Sequence, residues 1–69
     1  MNKSEQKHVD IALAGAQYLA ITVSQDHAND YLARALSIIS RSTMRVKTRH
    51  ELAALALQYN VLNNPEFIN

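Results

Sequence analysis

The sequence has no cysteine and no tryptophan, one glycine, one proline and four aromatic side chains. Without cysteine there is no disulfide framework, no thiolate metal centre and no cysteine nucleophile. The one glycine, Gly15, stands among helix formers, which excludes a glycine-rich phosphate loop. Long hydrophobic runs are missing as well. The longest apolar-rich stretch, residues 11–23, is broken by Gln17 and Thr22 and falls short of the ~20 residues a membrane span needs. The start, Met1 to His8, is polar and lacks the apolar segment of a signal peptide. A soluble, cytoplasmic protein without membrane association is the expectation.

What is present is a chain of 69 residues, 48% hydrophobic, long enough for one domain. Below roughly 70–80 residues a single core rarely supplies more than ~3–5 kcal/mol, so such chains usually need a staple, a metal or a partner subunit. Disulfides are excluded and no metal-ligand spacing is visible, which leaves self-association.

Three segments carry helical periodicity and none carries sustained alternation, so the predicted fold is all-α: a three-helix domain over residues 1–69, assembled as a homodimer. The first helix is predicted over about residues 4–23. Val9, Ala12, Leu13, Ala16, Leu19, Ala20 and Val23 form its buried stripe, and Ile11, Tyr18 and Ile21 a second apolar face. Ala12, Ala16 and Ala20 stack at four-residue intervals, and small side chains let another helix approach closely. They read either as core or as a dimer seam.

The second helix is predicted over about residues 25–40, opened by Ser24 or Asp26. Ala28, Tyr31, Leu32, Ala35, Leu36, Ile38 and Ile39 lie on one side, while Asp26 at the start and Arg41 at the end complement the macrodipole. The third is predicted over about residues 48–62, opened by a capping box in which Thr48 and Glu51 satisfy each other's amides. Leu52, Leu55, Ala56, Tyr59 and Leu62 form one stripe, Ala54, Leu57 and Val61 another. Asn63-Asn64-Pro65 then stops the helix, and the tail, residues 63–69, ends in the apolar pair Phe67-Ile68. The first and third helices thus carry more apolar surface than one small domain can cover, and a homodimer would bury the second faces.

Net charge is only +1, but it is unevenly placed. Residues 1–40 sum to −1 and residues 51–69 to −2, whereas residues 41–50 hold Arg41, Arg45, Lys47 and Arg49 with no acid, +4. Arg41 suits a helix C-terminus. Arg49 and His50, placed at the start of a helix, oppose its dipole, and an anion held there would reverse that cost. Arg41, Arg45, Lys47, Arg49 and His50 are therefore the candidate partner- or phosphate-binding residues. Leu57, Val61, Phe67 and Ile68 are the candidate protein interface.

Two stretches resemble parts of the LuxR/GerE-type helix-turn-helix domain. Val23-Ser24-Gln25-Asp26-His27-Ala28-Asn29-Asp30-Tyr31-Leu32-Ala33-Arg34-Ala35 resembles that family's turn and recognition helix. Val46-Lys47-Thr48-Arg49-His50-Glu51-Leu52-Ala53-Ala54-Leu55-Ala56 resembles the entry to its last helix, which in the family helps form the dimer. Together they cover 24 residues. The resemblance implies a DNA-binding regulator, with Asn29 and Arg34 as base or phosphate contacts. Asp26 and Asp30, however, stand where phosphate contacts call for Lys or Arg.

No constellation for catalysis emerges. His8, His27 and His50 share no i, i+4 spacing, the carboxylates are scattered, and Ser37, Ser40, Ser42 and Thr43 have no fixed base beside them. The three histidines read as exposed or capping residues. The sequence therefore reads as a non-enzymatic regulator without cofactor or metal that binds and modulates or inhibits a macromolecule. A protein partner is favoured, with nucleic acid as the alternative.

Overall fold

The computed structural model describes residues 3–41 and 44–61, without the side chains of Lys3, Ser4 and Arg45. The order is α1 (Lys3–Thr22), α2 (Gln25–Arg41) and α3 (Arg45–Gln58), with no strand among the described residues. None of these helices is long and apolar enough to cross a membrane.

The link between α1 and α2 is only Val23 and Ser24. Both backbone amides donate to the Leu19 carbonyl, at 2.8 and 3.1 Å, which closes α1 and turns the chain back at once. Of the two candidates for opening α2, Ser24 does so: its Oγ accepts the His27 amide at 3.0 Å, the Ncap-to-N3 bond of a serine cap. So short a link makes α1 and α2 antiparallel neighbours, and their contact is the principal packing of the fold. α3 then lies against both.

Among the described residues, five of the twelve buried apolar side chains are alanines: Ala12, Ala16, Ala28, Ala35 and Ala56. Larger volume comes from Leu19, Tyr31, Ile38, Leu52, Leu55, Tyr59 and Val61. The predicted seam is thereby corrected. Ala12 is fully buried and Ala16 nearly so, inside the chain's own core, while Ala20 is half-buried against it. Ala12 and Ala16 bring α1 close to its own neighbours and are not available to a second copy. The buried face of α1 is also rotated from the predicted stripe. Leu13 is 42% and Val23 60% exposed, whereas His8 and Gly15 are buried, because α1 serves α3 as well as α2.

Gly15 marks the closest approach. A Cβ built there would lie 2.8 Å from the Tyr31 hydroxyl and 2.9 Å from its ring carbon Cε2. The Tyr31 ring, fully buried, occupies the space that any other residue at position 15 would fill. Its hydroxyl has no hydrogen-bond partner among the described residues.

α3 departs most from expectation. It begins three residues before the predicted start, with Met44 as an N-cap that makes no side-chain capping bond. The capping box does not form. Thr48 is inside the helix and buried, and its hydroxyl donates back to the Met44 carbonyl at 3.0 Å, satisfying the polar group locally. The end is also earlier than predicted. Asn60 adopts a left-handed φ of 62°, its amide donates to Leu57 O at 3.2 Å, and the Val61 amide donates to Ala56 O at 2.9 Å. This is a Schellman ending with Asn in the position that usually selects Gly. It places Val61 beside Ala56, both fully buried. Val61 is therefore core, a correction to its expected role at an interface. Leu62, Phe67 and Ile68 lie outside the described residues.

Helix propensity favours Ala over Gly by ~1 kcal/mol, but overpacking a core costs about 1–3 kcal/mol. Gly15→Ala should therefore lower stability in urea denaturation, by up to about 2 kcal/mol. Tyr31→Phe, which removes an unpartnered buried hydroxyl, should cost nothing in the same assay.

Candidate functional site

Two features of the surface stand out: a polar cluster where α2 meets the end of α3, and the outward side of α3 itself. In the first, the Tyr59 hydroxyl donates to Asp30 Oδ2, and Arg34 Nε donates to the same oxygen at 3.3 Å. The Tyr59 ring meets Tyr31 edge-on at 5.3 Å between centroids and His27 at 4.9 Å and 47°. These contacts follow from register. His27, Asp30, Tyr31 and Arg34 are spaced three and four apart, so α2 presents them together to the residue that caps α3.

The Tyr59 hydrogen bond holds the Asp30 carboxyl below its ordinary value, against a smaller opposing effect of desolvation, with Arg34 and His27 adding to the depression. The same bond pushes the Tyr59 phenol up. Burial alone raises Tyr31, to about 12. Donor and acceptor of the Tyr59–Asp30 pair thus satisfy each other, and the arrangement ties α3 to α2.

From this cluster an open groove runs between α2 and α3. It is lined by Ala33, Ser37, Ile38, Ala54, Leu55 and Gln58. At the far end Arg41 Nη2 lies 3.9 Å from Glu51 Oε1. Glu51, expected to cap its own helix, instead faces α2. Arg41, the first of the candidate cations, is paired in this way.

The others lie on α3. Lys47, Arg49 and His50 are exposed within its first two turns, where there is no acid before Glu51. Arg45 opens the helix, its side chain outside the described residues. Neither Lys47 nor Arg49 has an ion pair among the described residues. Beside them lies a second kind of surface. Val46, His50, Ala53 and Leu57 are all exposed and recur at i, i+4, i+7 and i+11, so they share one stripe of α3 away from the core. Val46 and Leu57 are each 64% exposed, and Met44 just ahead of them is 63% exposed. Of the four residues expected at a protein interface, Leu57 is at the surface, Val61 is buried, and Phe67 and Ile68 lie outside the described residues.

Sequence reasoning missed His8 as a buried residue; the period from His8 to Ala12 to Gly15–Ala16 to Leu19 carried that signal. It missed Tyr59–Asp30 as well, since nothing local links positions 29 apart. Asn29, implied as a nucleic-acid contact, accepts a bond from Gln25 at 2.9 Å, and Arg34 is engaged by Asp30. No group of His, Asp or Glu among the described residues could hold a metal ion.

Comparison with known proteins adds no relative: no family model, curated protein or solved structure matches the chain.

A depressed folded-state value means that Asp30 contributes stability above the ordinary carboxyl value of 3.8 and loses it as pH falls through the lower folded value. Tyr59→Phe removes the principal cause. In a carboxyl NMR titration, Asp30 should then move up toward 3.8, and the variant should unfold at a higher pH on acidification.

Proposed function

We propose that this chain is a small, non-enzymatic, cytoplasmic regulator that works as a homodimer and docks on an acidic protein through the outward side of α3. The observation that carries the reading is the mixed surface of that helix. Lys47 and Arg49 flank an exposed stripe of Val46, His50, Ala53 and Leu57. The cations would steer and orient a negatively charged partner, and the apolar stripe would bury against it, in the manner of a helix seated against a helix. Exposed cations at the start of a helix oppose its dipole by up to about 1 kcal/mol each, a cost that an acidic partner would reverse. Leu57 supplies the largest apolar contact, and Arg49 and Lys47 the charge.

A protein partner is preferred over DNA on the same surface. A duplex offers phosphates to the cations and little to Val46 or Leu57, and the acidic start of α2 would repel it. The two classes separate experimentally. Affinity capture from native lysate, with protein and nucleic acid both quantified, should retain an acidic protein on the wild-type chain. Lys47→Glu combined with Arg49→Glu, and separately Leu57→Asp, should each reduce that retention about tenfold or more, with helicity unchanged. Retention of DNA that falls steeply with salt and ignores Leu57→Asp would overturn the reading.

A further inference from the structure

α3 covers one face of the α1–α2 pair, and among the described residues nothing covers the opposite one. On α2, the residues that meet α3 or line the groove beside it are His27, Asp30, Arg34 and Arg41. Turned roughly half-way round the helix from these are Leu32, Leu36 and Ile39, at i, i+4 and i+7. On α1, Val9, Leu13 and Ala20 fall on the same open side of the antiparallel pair. Leu13 and Leu36 are each 42% exposed and the other four half-buried. The six residues of this ledge carry no charge, and the exposed amides of Gln17 on α1 and Gln25 and Asn29 on α2 border them.

We propose that two copies of the chain pair through this ledge to form a four-helix bundle, an inference that rests on the homodimer reading above and names its surface. The geometry favours a second copy. Because α1 and α2 are joined by two residues, residue k of α1 is level with about residue 47 − k of α2. Leu13 and Leu36 are then within about 3 Å of the same height, and Val9 is level with Ile39 to within one residue. A two-fold axis parallel to the helices leaves every height unchanged while laying α1 of one copy over α2 of the other. Leu13 thus meets Leu36 of the second copy, twice, and all neighbouring helices run antiparallel. No like charges are opposed within the contact.

The area is modest. Twelve residues span roughly 17 Å and two helices side by side roughly 20 Å, a face of roughly 700 Å² in projection over two copies, below the ~1,200 Å² at which standard interfaces begin. An interface of that size suits a weak, concentration-dependent dimer. Burial there adds to an interior in which, among the described residues, five of twelve buried apolar side chains are alanine.

Sedimentation equilibrium between about 1 and 200 µM tests the proposal. The wild-type chain should be dimeric at the upper end. Leu13→Glu or Leu36→Glu should raise the Kd at least tenfold with helicity retained, and Leu57→Glu, on the outward side of α3, should leave it unchanged. Should the charged variants fail to fold, an equimolar mixture of Leu13→Cys and Leu36→Cys copies keeps the question open to measurement. In a chain with no cysteine of its own, the mixed disulfide should predominate over either homodisulfide. A monomer at 200 µM overturns both the surface and the homodimer reading. A dimer broken by Leu57→Glu but not by Leu13→Glu, or one with no mixed disulfide, overturns the surface alone.

Discussion

The fold turns on the Tyr31 ring lying against the one residue that has no side chain. Gly15 lets α2 bring a full aromatic ring up to the backbone of α1, and the phenol end fills the place of the missing Cβ. That contact fixes the level of α2 along α1 and buries Tyr31 completely. Once buried, the ring offers its edge to Tyr59, and Tyr59 in turn reaches Asp30 and His27. The end of α3 is therefore positioned by α2, and α2 by the gap at Gly15. The backbone agrees with this placement, since the turn at Asn60 directs Val61 inward just after Tyr59.

Much of the rest follows from scarcity of volume. The five alanines among the twelve described buried apolar residues bring helices close but gain little each, because burial free energy scales with apolar area. The larger apolar residues cannot all be accommodated. Leu13, Leu36 and Leu57 remain partly or largely exposed, on two different sides of the molecule. One side is uncharged and two helices wide; the other is a single helix flanked by cations. Surfaces so unlike suit different occupants, which is the physical ground for assigning self-association to one and a charged partner to the other.

The existence of three helices, the limits of α1 and α2 to within a residue, and the amphipathic logic of α2 were legible in the sequence, because periodicity and end signals there point the same way. α3 was harder. Thr48 and Glu51 have the spacing of a capping box, yet both are used elsewhere, Thr48 as a buried helical residue and Glu51 across the groove to Arg41. A local signal gave way to tertiary contacts. The alanine stack of α1 is equally compatible with a core and with a seam, since close approach needs small side chains whichever helix approaches. Only the direction in which α1 faces its own neighbours separates the two. Gly15–Tyr31 and Asp30–Tyr59 depend on helix levels, which no window along one segment contains. The basic run was visible as a charge count, while its separation into a paired Arg41 and a Lys47 and Arg49 that have no ion pair among the described residues needed the fold.

The displacement of Glu51 has a further consequence for electrostatics. In the capping arrangement its carboxylate would have sat among the first amides of α3 and neutralised both the helix dipole and the neighbouring cations. Facing Arg41 at 3.9 Å, across a solvated groove, it does neither. That surface pair contributes little by itself. Its larger effect is on what it leaves behind: a helix start with no capping side chain, no acid in its first turn, and Lys47, Arg49 and His50 exposed around it. Positive potential from the backbone and from the side chains therefore adds at one end of α3, next to the exposed Val46. Among the described residues no acidic side chain compensates that potential at the start of α3.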